Sequence, residues 1–308
     1  MWCAKVLIIY NYFVGLILKP IKVFDQRSIH GFMGRLKRIF DFYLDSSIHT
    51  AVSVFALIEI TGIFFGIGRD HHFAYLVFFG TIVCYNFVKY GVEAKKYILV
   101  TNTYHRNIQL ISFIAGACVL YHAFYISLAA WAGIAVLLAL TGLYAVPFLP
   151  HARNLRSLGG LKIFVVALVW AGTTVLLPVV SSYKFVDHNV WIEAVQRFFL
   201  VLLLMVPFEI RDLQYDDPDL KTLPQRYGIA NTKVLGIVGT VFFFGLTFLK
   251  SGISYLDLIA KGIMFLTMLV VIYMTREKQP KYFASFWVEA IPIFWWGAIW
   301  LLDKYPGI

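Results

Sequence analysis

The sequence alternates between long apolar runs and short polar connections. Nine runs, all between residues 48 and 302, approach the ~20 residues that an α-helix needs to cross a bilayer. We expect one membrane helix in each of the ranges 48–67, 72–90, 108–125, 127–148, 160–180, 189–208, 232–249, 255–274 and 284–302. Because the connections are short, the pattern predicts an all-α, polytopic membrane bundle of about nine helices without a soluble domain.

The segments outside these runs are predicted to lie at the membrane surface. Residues 1–18 are apolar with one early lysine and no small-residue cleavage site behind them. We interpret them as an interfacial helix rather than a signal peptide, and a spanning helix stays open. Residues 34–45 alternate basic and aromatic residues at helical spacing, which is typical of a surface helix. The predicted organisation is N-terminal interfacial helices at 1–47, a transmembrane bundle at 48–302 and a C-terminal tail at 303–308.

Composition supports the membrane class and gives a predicted orientation. Hydrophobic residues make up 60% of the chain and charged residues only 14%, against roughly a quarter charged in soluble domains. With residue 47 in the cytoplasm and nine alternating spans, 20 of the 27 lysines and arginines fall in cytoplasmic segments or at the cytoplasmic ends of the spans. Cytoplasmic loops of membrane proteins carry this excess. We therefore interpret the net charge of +10 as a consequence of the protein's orientation in the membrane, and not as a sign of nucleic-acid binding.

Charged residues inside the apolar runs include a pair in the sixth run and a single acid in the first. Glu193 and Arg197 are four residues apart in the sixth run, so on a helix they are neighbours and are predicted to neutralise each other. Glu59 in the first run has no local partner in the sequence, and we expect it to face the bundle interior or to be protonated. A structural role is the prediction for all three.

The most polar connection follows the sixth run, at residues 208–228. Glu209, Asp212 and Asp216 are spaced i, i+3, i+7, so they share one face if the helix continues. Carboxylate oxygens in such a group suit Mg²⁺, which takes a few carboxylates together with waters and substrate phosphates. The alternative is a solvated acidic loop that only ends the helix. The spacing alone does not distinguish a Mg²⁺ site from such a loop.

Two further polar connections, after the second and fourth runs, fall on the same predicted membrane face as the acids. Acids for Mg²⁺ beside cations and hydroxyl donors form the set of groups that a diphosphate site needs. The apolar bundle beneath could hold an isoprenoid tail. Besides the acids, the candidate residues in these three connections are Asn86, Lys89, Glu93, Tyr144, Arg153, Arg156 and Lys221.

These connections resemble the motifs of the UbiA-type intramembrane prenyltransferase superfamily over roughly residues 48–302. Residues 212–216, DLQYD, followed by residues 221–228, KTLPQRYG, are similar to the family's second aspartate-rich motif and its tail. Residues 143–150, LYAVPFLP, with two arginines behind them, resemble the family's connection between spans four and five. Asn86 stands where the family's first motif begins.

The resemblance implies a transferase that moves a prenyl group from a prenyl diphosphate to a membrane-soluble aromatic or lipid acceptor, often in quinone biosynthesis. It implies Mg²⁺ as cofactor, with Asp212 and Asp216 as metal ligands and Glu209 in support. It also implies Tyr144 as a catalytic residue at the diphosphate. The substrate-binding residues predicted with it are Asn86, Lys89, Glu93, Arg153, Arg156 and Lys221.

The chain departs from the family at its first aspartate-rich motif. Counted from Asn86, the motif's aspartate positions hold Phe87, Tyr90 and Ala94. A second Mg²⁺ site built on this motif is therefore not expected. One hypothesis is that nearby lysines, Lys89 first, supply the missing positive charge to the diphosphate. The alternative is that these lysines only anchor the helix at the membrane surface.

Two other classes of protein remain open from the sequence. A noncatalytic relative that binds a polyprenyl lipid or a partner enzyme would explain the altered first motif. A transporter would place functional charges at mid-bilayer and break its helices there, for which the charged residues inside the first and sixth runs give weak support. The retained acidic motif favours the transferase over both.

Overall fold

The computed structural model describes residues 26–68, 70–91, 102–145, 161–216 and 220–304, and every regular element among them is helical. The chain divides into two compact units, Met1–Tyr43 and Leu44–Ile308, and the bundle lies in the second. In chain order, the α-helices are α1 Gln26–Asp45, α2 Ile48–Phe65, α3 His71–Asn86, α4 Thr103–Ala123, α5 Leu128–Ala145, α6 Leu161–Ala171, α7 Leu177–Ser181, α8 His188–Asp212, α9 Leu223–Gly245, α10 Tyr255–Met274 and α11 Ile291–Lys304.

Three π-helical segments and one 3₁₀ segment extend these helices. The π-helix Phe87–Gly91 continues α3, Gly172–Leu176 joins α6 to α7, and Phe283–Val288 precedes α11, while the 3₁₀ turn Leu246–Leu249 ends α9. Each of the nine predicted spans therefore coincides with a helical segment of the described chain. Predicted boundaries differ most in the seventh span, where the helix begins at Leu223 rather than at residue 232.

Seven of these described segments are long and apolar enough to cross a membrane. The two others are α4 and α5, and the apolar part of α5 that qualifies is the shorter stretch Leu128–Gly142. The all-α, polytopic bundle predicted from the sequence is thus confirmed, with nine as an approximate count. α1 contains the predicted surface helix at 34–45 and begins earlier, at Gln26.

Two apolar clusters hold the bundle together, and α2 contributes to both. The larger one joins Leu57 and Ile60 of α2 to α8, α9, α10 and α11, with Trp295 among its buried side chains. The second packs Val54 and Ile58 of α2 against α3, α5 and α7. α2 is buried over most of its length, and its apolar side chains accordingly lie on all faces of the helix rather than along one face.

Polar contacts at the two ends of the bundle show that the helices alternate in direction. At one end, which we call the acidic end, Gln279 Nε2 donates to Pro207 O at 2.8 Å and the Tyr104 hydroxyl to Asp45 Oδ2 at 2.6 Å. At the opposite end, Lys184 Nζ donates to Phe65 O at 2.7 Å. The acidic end therefore gathers the connections after α3, α8 and α10.

The buried pair predicted within the sixth span is confirmed, but it belongs to a larger ionic network near the opposite end. Arg197 Nη2 lies 3.3 Å from Glu193 Oε1. Lys261 Nζ lies 2.7 Å from the same oxygen, and Lys250 Nζ lies 2.8 Å from Glu193 Oε2 and 2.7 Å from Asp257. One fully buried carboxylate thus contacts three cations, and it links α8, α10 and the turn before α10.

The surroundings of this network offset the cost of its burial. Arg197 Nη1 donates to Leu57 O at 3.0 Å, which ties the network to α2. Lys261 Nζ faces the rings of Phe243 and Trp295 at 5.5 and 5.1 Å, as in cation–π pairs. Burial lowers the pKa of Lys250, but Glu193 and the neighbouring Asp257 outweigh it and raise that pKa above its ordinary value. Lys250 therefore stays charged.

Glu59, the acid of the first predicted span, is also buried. Only 8% of its surface is exposed, which agrees with the predicted inward orientation. It lines a cavity at the opposite end of the bundle together with Asp70 and Asp303.

We predict that Glu193→Gln destabilises the folded bundle by about 3–5 kcal/mol, because it leaves three buried cations without their shared partner. Thermal unfolding in detergent measures the effect. Glu277→Gln, at an exposed site in the loop after α10, is the matched control and should leave the melting temperature unchanged. Equal melting temperatures for Glu193→Gln and wild type would show that the network does not hold the helices together.

Candidate functional site

The last two turns of α8 place an acidic residue inside the bundle at the acidic end. Pro207 lies within α8, and a proline inside a helix removes one backbone hydrogen bond and bends the axis. Glu209 follows two residues later and is 1% exposed. A buried carboxylate is costly unless it is paired or coordinates a metal ion.

The partners of Glu209 do not satisfy this carboxylate fully. Lys162 Nζ at the start of α6 lies 3.4 Å from Glu209 Oε1, an ion-pair distance. Neither oxygen of Glu209 accepts a hydrogen bond from a described residue. Since buried acids usually accept several hydrogen bonds, Glu209 keeps free coordination capacity for a cation.

The condition under which the three acids would share one helical face is not met. α8 ends at Asp212, and a turn follows in which Asp216 N donates to Asp212 O at 2.8 Å. Both oxygens of Asp212 accept from Arg211, at 2.7 Å from Nε and 3.2 Å from Nη2. The helix ends here because residues 213–219 combine acids with a proline, which do not extend a helix.

The three acids are neighbours, but they do not form a ready metal cluster. Glu209 interacts electrostatically with both Asp212 and Asp216. Within the described chain, however, no three His, Cys, Asp or Glu side chains converge on one point as metal ligands do. To bind a cation jointly, Asp212 would have to exchange its contact with Arg211 for the ion.

The sequence of residues 221–228, which follows the acids, suits the start of α9. Lys221 adopts the left-handed region with φ 50° and is exposed. Thr222 N donates to Gln225 Oε1 at 2.9 Å, one half of a capping box, and Pro224 lies in the first turn of α9. Gly228 has φ 77°, where a side chain would be strained, so α9 is kinked there.

Two candidate residues at the end of α3 and just after it, Asn86 and Lys89, have different surroundings. Asn86 is 4% exposed, and its Nδ2 donates to Ser112 of α4 at 2.9 Å. Asn86 therefore joins two helices, although its Oδ1 has no hydrogen-bond partner among the described residues. Lys89, on the π-helix that follows, is exposed and interacts electrostatically with Arg211 and with Glu289 at the start of the last span.

Four other predicted site residues cannot be placed against this geometry. Tyr144 belongs to the last turn of α5, and its side chain lies outside the described part of the structure. Glu93, Arg153 and Arg156 lie outside the described residues altogether. Their roles stay predictions from the family resemblance.

Sequence reasoning missed two charged residues of the acidic end. Lys162 contacts Glu209 across 47 positions of sequence, and Glu289 accepts a hydrogen bond from Thr50 Oγ1 at 2.5 Å. Lys162 stands at the start of α6 and Glu289 just before α11, both outside any motif. A single charged residue within an apolar run was the only signal in the sequence.

An apolar cavity of about 210 Å³ lies among α2, α3, α5 and α6. Val88 and Val165 are among its lining residues, and they are close in sequence to Lys89 and Lys162. The cavity therefore extends toward the end of the bundle that carries these two lysines. Tyr85 contributes a hydroxyl to its wall, where it accepts a hydrogen bond from Trp170 Nε1 at 2.7 Å.

The comparisons with known proteins give structural relatives only. No protein-family model matches the sequence, and no curated protein matches it. The apo structure of a UbiA homologue from Aeropyrum pernix K1 is similar, with a TM-score of 0.59 and 15% identity over 83% of this chain and 98% of that one. A UbiA homologue from Archaeoglobus fulgidus gives 0.53 and 13% over 85% and 99%.

A further structure of the Archaeoglobus fulgidus homologue, bound to DMAPP and Mg²⁺, is similar with a TM-score of 0.51 and 13% identity over 83% of this chain and 98% of that one. At such identities the likeness shows the fold. This chain therefore has the UbiA-type fold, as the resemblance implied.

We predict that Glu209→Gln leaves the unliganded protein as stable as wild type, within about 1 kcal/mol, or raises its stability. The substitution removes a buried charge that accepts no hydrogen bond, while Lys162 is partly exposed and can turn to solvent. Thermal unfolding without ligand or divalent cation measures this. A loss as large as that expected for Glu193→Gln would show that Glu209 is a structural acid.

Proposed function

We propose that the protein is a membrane-embedded transferase that moves a prenyl group from a prenyl diphosphate to a membrane-soluble aromatic or lipid acceptor, assisted by Mg²⁺. The observation that carries the proposal is the acidic end itself. There, the buried and incompletely satisfied Glu209 lies at ion-pair distance from Lys162, and an apolar cavity extends toward this end of the bundle. In this arrangement the charged groups can bind a diphosphate, and the cavity can bind the prenyl chain attached to it.

The cavity supports a prenyl donor over a purely polar ligand. Its wall is formed mainly by valine, leucine and isoleucine side chains, and burial of apolar surface there stabilises a hydrocarbon chain. Val88 and Val165 line the cavity, and Lys89 and Lys162 follow or precede them on the same helical segments, so we place the diphosphate of a bound chain near those ammonium groups. Arg211 stands on the α8 side of the same end.

The acids fit Mg²⁺ by their chemistry. Glu209 offers two buried oxygens without hydrogen bonds, and Asp212 and Asp216 are its electrostatic neighbours. These three would hold the ion, and Mg²⁺ would supply neutralisation of the diphosphate oxygens as they gain charge. The homologue from Archaeoglobus fulgidus was solved with DMAPP and Mg²⁺ bound, which is consistent with this assignment.

The residues of this chain then have defined tasks in the transfer. The C–O bond of the donor breaks, and its electron pair leaves with the diphosphate. Lys89 and Arg211 stabilise that leaving group by charge-assisted hydrogen bonds. The acceptor's nucleophilic atom forms the new bond to the allylic carbon and releases its proton to a base. Lys221 and Asn86 are proposed at the rim of the site, with the acidic end facing the cytoplasm.

A noncatalytic protein that binds a polyprenyl lipid or a partner enzyme is the second candidate. One observation favours it: Arg211 occupies both oxygens of Asp212, so the acids are partly neutralised without a metal. Under this alternative a prenyl diphosphate would bind equally well with and without Mg²⁺, and it would not be consumed.

We predict that Asp212→Asn or Asp216→Asn abolishes the Mg²⁺-dependent part of prenyl diphosphate binding, because each removes a charged metal ligand. Binding is measured as the ligand-induced rise in melting temperature with geranylgeranyl diphosphate, with and without Mg²⁺. Asp303→Asn, the same change at an exposed site on the opposite end, is the control. An unchanged Mg²⁺ dependence in both variants would contradict the metal assignment.

We predict that Lys89→Ala weakens binding of geranylgeranyl diphosphate by about tenfold or more, the effect expected when a charge-assisted hydrogen bond is lost. Lys278→Ala is the matched control, because Lys278 is an exposed lysine in the loop after α10. Titration of the melting temperature with the diphosphate gives both affinities. Equal effects of the two variants would indicate that Lys89 only anchors the helix at the membrane surface.

A further inference from the structure

Glu289 lies where the last membrane span is broken. The π-helix Phe283–Val288 ends directly before it, and α11 begins at Ile291. π-helical segments inside spans occur frequently at functional sites, and the other π-helix at the acidic end carries Lys89. An acid within a span is costly and usually marks a site.

Two side chains of α2 hold Glu289 in place. Thr50 Oγ1 donates to Glu289 Oε1 at 2.5 Å, and Ser53 Oγ donates to the backbone oxygen of Glu289. The second carboxylate oxygen, Oε2, accepts no hydrogen bond from any residue that the structure describes. Since the side chain is partly exposed, this oxygen is available to a ligand.

The charges around Glu289 place it in the proposed donor site rather than against lipid. Lys89, His49 and Arg211 all interact electrostatically with it, and Lys89 and Arg211 also interact with each other. Glu289 therefore interacts with Lys89 and Arg211, the two cations that are proposed to stabilise the diphosphate. Glu209, by contrast, has Lys162 as its cation, so the two acids have different partners at this end of the bundle.

We propose that Glu289 binds the acceptor, with Oε2 accepting a hydrogen bond from a hydroxyl of that molecule. This rests on the proposed function. In the transfer, the hydroxyl-bearing acceptor forms a bond to the allylic carbon, the C–O bond to the diphosphate breaks, and the acceptor's proton moves to Glu289 and then to solvent. The Thr50 hydrogen bond fixes Oε1, so Oε2 is the oxygen that receives the proton.

The chemistry of this carboxylate defines the class of acceptor. A lone accepting oxygen selects a molecule with an O–H donor, such as a phenol or hydroquinone, over one whose hydroxyls are methylated. An acceptor without an O–H group would leave Glu289 Oε2 without a hydrogen-bond partner. Binding sites discriminate strongly against a ligand that leaves such a polar group unpaired. An acceptor without a hydroxyl or comparable donor would gain nothing from Glu289.

The test compares hydroquinone with 1,4-dimethoxybenzene, which has the same ring without O–H groups. Each is titrated against the protein loaded with geranylgeranyl diphosphate and Mg²⁺, with the further rise in melting temperature as readout. We expect wild type to bind hydroquinone about tenfold or more tightly than the dimethyl ether. Glu289→Gln should lose most of that preference, and Glu277→Gln, at an exposed loop acid, should keep it.

The response to the diphosphate alone separates the two levels of the proposal. Glutamine can still accept the Thr50 hydrogen bond, so Glu289→Gln should fold and show the normal donor-induced shift. Absence of that shift in wild type would overturn the proposed function. A normal shift with no preference for hydroquinone in wild type, or with the same preference in wild type and Glu289→Gln, would overturn the role of Glu289 alone.

Discussion

A charge inside a membrane helix is stable only when the surrounding helices supply its partners, and this requirement organises the bundle. Near one end, Glu193 meets Arg197, Lys250 and Lys261 at ion-pair distances. These contacts join α8, α10 and the turn before α10, while Arg197 reaches the backbone of α2. The ionic network therefore fixes the relative positions of the helices that carry the acidic end.

The acidic end shows the opposite balance of charge and partners. Glu209 is also almost fully buried, yet neither of its oxygens accepts a hydrogen bond from a described residue. Its ion-pair contact within the described chain is with Lys162. Glu289 uses one oxygen and leaves the other available. A rigid network at one end and incompletely satisfied acids at the other is the arrangement expected when a ligand completes the site.

Local patterns predicted most of the fold, because helix length and the i, i+4 spacing of Glu193 and Arg197 depend on neighbouring residues. The site was predicted less well. The contact of Lys162 with Glu209, and those of Glu193 with Lys250 and Lys261, join residues 47 to 68 positions apart, so they depend on which helices pack together. The sequence left open whether the acids share one helical face, because the spacing does not show where α8 ends, and the helix ends at Asp212.

The most direct test of a metal-assisted diphosphate site is the thermal stability of the purified wild-type protein with geranylgeranyl diphosphate, Mg²⁺, both or neither. Any ligand that prefers the folded state raises the melting temperature. We predict the largest rise when both are present, and little effect of geranylgeraniol, which lacks the diphosphate. No rise in any condition, while a known prenyltransferase responds under the same conditions, would contradict the proposed function.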